Sequence, residues 1–243
     1  MLCIFILVSI NTKALAQLAN VANNERNIQH HQQAPIQVIV SLIVFPPFIY
    51  QEKGDACFGN AVDELNNIFT EPQFSLILYC SSPARVYKDF TQDNADITIS
   101  IKSTSTLGED VFYSNKPYET LNIVLISRSS GKASTIAAIR GYTYQGHRQK
   151  LEDSGYKFKE FSKSSAACTA FLRGGTDSFI SYEQPFEYYL NIRREREDLG
   201  KLNTTFTKTT LSKVKTYFVV NKKSEHARLM IDKINAYFNK QSI

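Results

Sequence analysis

Aromatic side chains stand at turns that border apolar runs of this sequence. They are Phe48, Tyr50, Tyr118, Tyr142, Tyr144 and Tyr182. A ring at such a turn can stack on a planar or apolar group, or attract a cation to its face. Any one ring could equally pack against its own part of the fold. The group as a whole is therefore stronger evidence for a ligand cleft than any single ring. We expect at least two of the rings to line one cleft.

Polar and charged side chains border the same turns and could contact an anion or a polar group. They are Arg85, Lys102, Ser103, Arg140, Thr143 and Glu183. Arg85 begins a predicted helix, where backbone N–H groups would also face an anion, although it could instead pair with Asp89 one turn on. Lys102 offers a point charge or is simply solvated. Arg140 is the better candidate for an anion contact, and Thr143 could donate its hydroxyl.

The sequence lacks the side-chain patterns of nucleophilic catalysis and of metal binding. His147 and His226 have no evident partners for a Ser/His/Asp or Cys/His arrangement. No Cys-x-x-Cys motif or Cys/His cluster is present. Glu183, beside Tyr182, is the obvious carboxylate for a base. We therefore predict that the protein is not an enzyme and needs neither a cofactor nor a metal ion.

Two similar units would position these side chains. Asp96 precedes the apolar run Ile97–Ile101, and Asp177 precedes the run Phe179–Ser181. Each run closes a unit of strand, helix and second strand. Two such units predict two α/β lobes, and a cleft between lobes is where a small molecule binds. We interpret Asp63, Asp96 and Asp177 as braces of the lobes without a ligand role.

The hydrophobic pattern places strands and helices along most of the chain. Strands are predicted over Ile36–Val44, Phe74–Tyr79, Ile97–Ile101, Leu121–Ser127, Ile136–Ile139, Tyr156–Phe161, Phe179–Ser181 and Tyr217–Val220. Helices are predicted over Val62–Phe69, Pro83–Phe90, Gln145–Ser154, Ala166–Leu172 and Leu229–Phe238. Ser82 and Pro83 provide a cap and a first residue for the second helix.

The first residues favour a secretory signal. The apolar run Leu2–Ile10 is too short to span a bilayer, and Ala14-Leu15-Ala16 has the small-x-small pattern of a cleavage site. A buried strand is the alternative. We assign residues 1–16 to the signal peptide and the Asn- and Gln-rich residues 17–34 to a flexible leader. The mature protein is thus expected in the periplasm.

Composition and cysteine content agree with an exported globular protein. The chain of 243 residues is 43% hydrophobic and 21% charged. Its net charge of +5 is not concentrated in a Lys/Arg tract, so we expect no nucleic-acid partner. Beyond the signal, the cysteines are Cys57, Cys80 and Cys168. An oxidising compartment allows one disulfide, and the first two are favoured because both fall in the first half. Three unpaired thiols are the alternative.

Short motifs follow one another in a recognisable order. They are Pro46-Pro47-Phe48-Ile49-Tyr50, Gly59-x-x-x-Asp63, Pro83-x-Arg85, Asp96, Ser114-x-x-Pro117-Tyr118, Gly141-Tyr142-Thr143-Tyr144 and Gly174-x-x-Asp177. Their order resembles that of the periplasmic solute-binding proteins that serve polar amino acid ABC transporters and related sensors. The resemblance spans Ile36 to Phe238.

This resemblance implies an α/β fold of two lobes, each a mixed sheet flanked by helices. Lobe 1 would comprise residues 35–120 and 219–243, and lobe 2 residues 121–218. The hinge crossovers would lie at Glu119–Asn122 and Thr216–Val219. A small molecule would bind in the cleft, with closure of the lobes around it. The protein would be a monomer that serves an ABC permease or, alternatively, a membrane sensor kinase.

Two departures from the family pattern concern the ligand. Amino acid binders of this family carry an arginine after the third strand for the ligand's α-carboxylate, but the segment Ser103–Asp110 contains none. They also carry an aspartate for the α-ammonium where this chain has Tyr182 and Glu183. We therefore expect a ligand other than a standard α-amino acid, with an anionic or an aromatic part. A dehydratase-like enzyme with Glu183 as base is a minor alternative.

Overall fold

The structure, a computed structural model, describes residues 34–51, 56–128, 134–195 and 205–241. The predicted signal peptide lies outside these residues, as does all but the last residue of the predicted leader. None of the helices within the described ranges combines the length and apolarity needed to cross a bilayer.

The described residues form eleven strands and six α-helices. The strands are β1 (Ile36–Ile43), β2 (Tyr50–Gln51), β3 (Cys57–Phe58), β4 (Phe74–Ser81), β5 (Ile97–Ile101), β6 (Val111–Tyr113), β7 (Glu119–Arg128), β8 (Thr135–Ile139), β9 (Lys157–Phe161), β10 (Ser178–Tyr182) and β11 (Phe206–Asn221). The helices are α1 (Asn60–Ile68), α2 (Pro83–Thr91), α3 (His147–Asp153), α4 (Ser164–Leu172), α5 (Glu183–Glu195) and α6 (Ala227–Lys240).

One mixed sheet runs through the molecule in the order β4-β1-β5-β11-β7-β10-β8-β9, with β6 also paired to β11. Strand β1 is parallel to β4 and β5, and β8 is parallel to β9 and β10. Strand β11 is antiparallel to β5, β6 and β7. The parallel strands at each end are joined through helices, as α/β units require.

Strand β11 changes partner at Thr216. Its residues up to Thr216 pair with β7, and those from Thr216 to Val220 pair with β5. Thr216 itself lies opposite both Glu119, the first residue of β7, and Ile101, the last residue of β5. The chain thus passes between the two groups of strands at Glu119 and again at Thr216.

Each group of strands has its own hydrophobic core, and we call the two groups the first and the second lobe. The first lobe consists of β1 to β6, α1, α2, α6 and the end of β11. In its main core, Val40 of β1, Leu65 of α1 and Ile234 of α6 pack together. The second holds β7 to β10, α3 to α5 and the rest of β11, with Phe171 of α4 and Phe179 of β10 at its centre. Burial of each such side chain contributes about 1.5–3 kcal/mol. The lobe boundaries assigned by residue number stay a prediction.

Three local features differ from the sequence-based expectation. Helix α3 begins at His147, two residues later than predicted, because Tyr144 and Gln145 have φ of 48° and 54°, which an α-helix excludes. Strand β11 begins at Phe206, well before the predicted Tyr217. Helix α5 was not among the predicted elements.

The disulfide prediction is confirmed. Cys57 in β3 and Cys80 in β4 are bonded, with Cα atoms 5.5 Å apart, so the β2–β3 hairpin is tied to the edge of the sheet. Cys168 is a free thiol buried in the core of the second lobe, and burial raises its pKa to about 12. At this pKa the thiol stays protonated and unreactive at neutral pH.

Candidate functional site

A cavity of about 590 Å³ opens where the two lobes face each other. Its walls include the C-terminal ends of β1 and β5, one face of α2, the turn after β8 and the end of β10. Thr216, the residue at which β11 changes partner, also lines it. The volume lies within the range of about 300–1,000 Å³ that is usual for small-molecule sites.

Five aromatic rings form one side of the cavity, and we call them the ring wall. They are Phe45, Phe48, Tyr118, Tyr142 and Tyr182. Ring centroids lie 6.2 Å apart for Tyr118 and Phe48, 6.2 Å for Phe48 and Phe45, 5.3 Å for Phe45 and Tyr182, and 6.4 Å for Tyr182 and Tyr142. Because Phe45 belongs to the first lobe and Tyr182 to the second, the ring wall crosses from one lobe to the other.

A tight loop after β1 fixes the first-lobe rings. Phe45 and Ile49 exchange backbone hydrogen bonds of 2.9 and 3.0 Å around the cis Pro46–Pro47 peptide bond. Gly59 packs against the same loop with a φ of +114°, and a Cβ at this position would lie 2.5 Å from the Phe48 carbonyl oxygen. Glycine is therefore required here both for its backbone conformation and for its lack of a side chain.

Hydroxyl groups form a second part of the lining, and we call them the hydroxyl arc. They belong to Tyr87, Ser100, Ser103, Thr104 and Ser105. The Tyr87 hydroxyl lies 3.4 Å from Ser100 Oγ, and Ser100 Oγ donates to Thr104 Oγ1 at 3.0 Å. Burial raises the pKa of Tyr87, so its hydroxyl stays protonated. The arc thus offers neutral hydrogen-bonding groups that can act as donors or acceptors.

The phenols of the ring wall are also neutral at physiological pH. Burial raises the pKa of Tyr142 and Tyr182, and the neighbouring phenol of Tyr87 adds to both shifts. Burial, followed by the charge of Glu64, raises the pKa of Tyr118. Each phenol therefore keeps its proton and can donate a hydrogen bond.

Three charged residues of the described chain line the cavity, and we call them the rim. They are Lys88, Glu119 and Arg140. Lys88 and Arg140 are exposed, and the Arg140 side chain is 69% exposed, with Nε 3.7 Å from Glu160 Oε2. Glu119 is half-buried, and its Oε1 accepts a hydrogen bond of 2.7 Å from the Thr120 backbone N–H. The positive charges of the described lining are therefore confined to exposed side chains.

Eight of the residues named as candidates from the sequence line this one cavity. They are Phe48, Ser103, Tyr118, Arg140, Tyr142, Thr143, Tyr144 and Tyr182. Five of them are aromatic, so several rings line the same cavity. All but Tyr118 lie at or after the C-terminal end of a strand, where open α/β sheets bind their ligands, whereas Tyr118 precedes β7.

Two further candidates point away from the cavity into aromatic contacts. Tyr50 stacks on Phe58 with centroids 5.7 Å apart and meets the edge of Tyr188 at 5.4 Å. Lys102 Nζ lies 4.4 Å from the centroid of the Tyr217 ring. These contacts occupy both side chains, and neither residue lines the cavity.

The remaining two candidates are held by ion pairs. Arg85 is 73% exposed, with Nε 3.7 Å from Asp89 Oδ2, which is the helical pair weighed as its alternative. Glu183 begins α5, accepts a hydrogen bond of 2.6 Å from Asn122 and pairs with Lys208. The Asn122 and Lys208 contacts lower the pKa of Glu183. A carboxylate placed outside the cavity and held ionised by these partners is poorly suited to act as a base there.

Sequence reasoning missed Phe45, Tyr87 and Thr104. Phe45 directly precedes the Pro-Pro pair, and its ring follows the same loop as Phe48. Tyr87 shares one helix face with Pro83 and Thr91 at spacings of four, and all three line the cavity. That spacing was the available signal.

Two other residues make contacts that the sequence does not predict. Tyr144 lines the cavity but is almost completely buried, and its hydroxyl accepts a hydrogen bond of 2.9 Å from the Ile139 backbone N–H, so it also braces the turn after β8. His147 was thought to lack a partner, yet Nε2 lies 2.9 Å from Ser212 Oγ. Ser212 adjoins a bulge in β11 and does not line the cavity.

No family model and no curated protein sequence matches the chain. Solved structures do match. The arginine-, lysine-, histidine-binding protein ArtJ from Geobacillus stearothermophilus is 19% identical and superposes with a TM-score of 0.67, over 85% of this chain and 91% of that protein. The chain has the two-lobed fold of type II periplasmic binding proteins. The fold expected from the order of motifs is therefore confirmed.

Other proteins with this fold match equally broadly. An ABC uptake transporter substrate-binding protein from Streptococcus pneumoniae with bound histidine is 17% identical, with a TM-score of 0.67, over 85% of this chain and 87% of its own. The GluR0 ligand-binding core from Nostoc punctiforme, in complex with L-glutamate, is 15% identical, with a TM-score of 0.63, over 84% and 94%. These neighbours all bind amino acids.

Metal ligands were also sought among the described residues. They contain no group of three or more His, Cys, Asp or Glu side chains close enough to hold a metal ion. What the cavity offers instead is stacking against the ring wall and hydrogen bonding to the hydroxyl arc.

Proposed function

We propose that the protein binds a small solute in this cavity without transforming it, and delivers it to an ABC permease. The proposal rests on the two-lobed fold, on the cavity volume, and on binding partners from both lobes around one space. The Cys57–Cys80 disulfide supports a location in an oxidising compartment such as the periplasm.

The ring wall is the observation that carries this proposal. Phe45 and Tyr182 come from different lobes, with ring centroids 5.3 Å apart. A solute that contacts both rings bridges the lobes and stabilises their approach. The chain crosses between the lobes at Glu119 and at Thr216, so closure would bend the molecule at these two places.

We further propose that the solute is not a standard α-amino acid. Residues Ser103 to Thr106, where the resemblance leads us to expect a carboxylate-binding arginine, line the cavity with hydroxyl groups. Glu183, the acidic residue nearest the expected ammonium site, is bonded to Asn122 and Lys208 outside the cavity. An α-amino acid would therefore lack both of the ionic partners that the resemblance leads us to expect, and burial of a charge without a partner is unfavourable.

A sensor role would use the same cavity and a different partner. In that case the closed lobes would contact the extracytoplasmic part of a membrane kinase in place of a permease. Affinity purification of the tagged protein from membranes separates the two roles, because it recovers either a permease or a kinase.

A thermal-shift screen tests the binding proposal. The purified protein is heated with amino acids, organic acids, aromatic amides, nucleosides, sugars and polyamines. A solute present at about 100 times its Kd stabilises the fold by about 2.7 kcal/mol, which raises the Tm by several degrees. A response to one class supports the proposal, and the absence of a response to every class contradicts it. A response confined to α-amino acids supports solute binding but contradicts our exclusion of them.

A further inference from the structure

We propose that the solute is an uncharged molecule with a planar aromatic ring and an amide, carbonyl or hydroxyl group at one end. This inference rests on the proposed function and names the chemical class that the cavity selects. It follows from the division of the lining into a ring wall, a hydroxyl arc and a charged rim.

The ring wall has the geometry to hold a flat ring. Tyr182 meets Phe45 at an interplanar angle of 67° and Tyr142 at 70°, so Tyr182 forms a corner with each neighbour. An aromatic ring in such a corner contacts one ring face to face and the next edge to face. Such contacts contribute about 0.5–1.5 kcal/mol each beyond the burial of apolar area.

The hydroxyl arc has the chemistry to bind a neutral polar group. Tyr87, Ser100 and Thr104 form a chain of hydroxyls, and each can donate or accept a hydrogen bond. An amide or carbonyl finds both kinds of partner in the arc. A carboxylate would lose its hydration without meeting a cation, since the positive charges of the described lining lie on exposed side chains of the rim.

The rim also argues against an organic cation, although aromatic rings alone would attract one. Two of its three charged residues, Lys88 and Arg140, are positive. The third, Glu119, has one oxygen bonded to the Thr120 backbone N–H. A cation entering the cavity would therefore be repelled by two charges and attracted by one, and a neutral solute avoids this repulsion.

Four matched probes test the inference by isothermal titration calorimetry. Benzamide is the neutral aromatic amide, benzoate and benzylammonium carry a charge in place of the amide, and cyclohexanecarboxamide lacks the planar ring. We expect benzamide to bind about tenfold or more tightly than either charged probe, which corresponds to about 1.4 kcal/mol. Cyclohexanecarboxamide should also bind more weakly. Equal or tighter binding of a charged probe, or no saturable binding of benzamide at millimolar concentration, overturns the inference.

Two variants add independent readouts. Phe45→Leu keeps an apolar side chain but removes a ring, so it should erase the preference for benzamide over cyclohexanecarboxamide. Ser103→Arg adds a cation to the arc and should raise the affinity for benzoate, whereas Ser162→Arg adds the same charge on an exposed turn and should not. A benzoate affinity that rises equally in both arginine variants contradicts the role of the arc.

The outcomes also separate this inference from the proposed function. If the probes fail but a solute of another class stabilises the protein in the thermal-shift screen, the class is wrong and solute binding stands. If neither the screen nor the probes show binding, both the class and the proposed function fall.

Discussion

Asp96 and Asp177 occupy equivalent positions in the two lobes. Asp96 precedes β5 and makes two hydrogen bonds with Ile39 of β1. Its backbone N–H donates to the Ile39 carbonyl at 2.8 Å, and its Oδ2 accepts from the Ile39 N–H at 2.8 Å. Asp177 precedes β10 and makes the same two bonds with Thr135 of β8, at 3.1 and 2.9 Å. One aspartate thus joins two parallel strands near the ends opposite the cavity in each lobe.

The Asp177 carboxylate supports a prediction about acid stability. Its Oδ2 also accepts hydrogen bonds from Ser134 N–H, Ser134 Oγ and Thr135 Oγ1 at 3.0, 3.1 and 2.8 Å. The Ser134 N–H bond, followed by those from Thr135, lowers the pKa of Asp177 to about 2. The stability that this carboxylate contributes is therefore present above its unfolded pKa of about 3.9 and is lost as the pH falls toward about 2.

We expect Asp177→Asn to lower the free energy of unfolding by about 1 kcal/mol near neutral pH, after allowance for solvent screening. The difference from the unsubstituted protein should disappear as the pH falls from about 4 to about 2. Urea denaturation across this range measures it. Asp153→Asn, which removes an exposed carboxylate bonded to Gln149, is the control. A deficit for Asp177→Asn that stays constant with pH would show that the charge is not responsible.

Gly59 links the fold to the ring wall. Because a Cβ would lie 2.5 Å from the Phe48 carbonyl oxygen, Gly59→Ala should displace the loop and lower the free energy of unfolding by about 1–3 kcal/mol. Gly155→Ala is the matched control, since Gly155 also has a positive φ, +89°, but has no neighbouring atom within 4 Å of the added carbon. Thermal denaturation compares them, and equal losses would mean that the contact with Phe48 is unimportant.

The disulfide makes two predictions for a protein that lacks residues 1–16. Thiol titration of the denatured, non-reduced protein should find one thiol, Cys168, whereas three thiols would refute the bridge. Cys57 and Cys80 are separated by 23 residues, so replacing both with serine should cost about 3 kcal/mol of stability through the entropy of the unfolded chain. An unchanged denaturation midpoint would contradict this.

Arg140 distinguishes an anionic from a neutral solute. Its side chain is exposed and faces Glu160, which also pairs with Arg148 at 2.7 Å. Exposed ion pairs contribute about 0–1 kcal/mol. Because benzamide carries no charge for Arg140 to pair with, Arg140→Ala should change the affinity for benzamide less than about threefold. Arg173→Ala, on the surface of the second lobe, is the control. A loss of about tenfold or more specific to Arg140→Ala would indicate that the bound group is an anion.

Much of the fold was predictable because its signals are local. Both aspartate–strand units were found from a turn, an acid and an apolar run, and the described structure pairs the strand of each unit in parallel with a neighbour. The first part of β11 was missed because it is largely exposed and rich in Lys and Thr, so it lacks an apolar alternation. Its β-branched residues Thr207, Thr209 and Thr210 were the remaining signal.

The site was only partly predictable because side-chain direction is not local. Tyr118 and Lys102 both border strand ends, yet one ring faces the cavity and the other side chain stacks on Tyr217. A shift of one residue along a strand reverses the side that a residue faces, and sequence-based boundaries are less accurate than that. Phe45 shows the same limit, since its place in the ring wall depends on contacts with Tyr182 of the other lobe.

Titration calorimetry with a blocked cavity tests the central claim most directly. Ser103→Trp places a large side chain at the hydroxyl arc, and Ser162→Trp places the same side chain at an exposed position that does not line the cavity. The solute selected by the thermal-shift screen should bind the unsubstituted protein and Ser162→Trp with the same affinity, one molecule per chain, and should give no saturable heat with folded Ser103→Trp. Undiminished binding to Ser103→Trp would contradict the account, because the solute would then bind outside the cavity between the lobes.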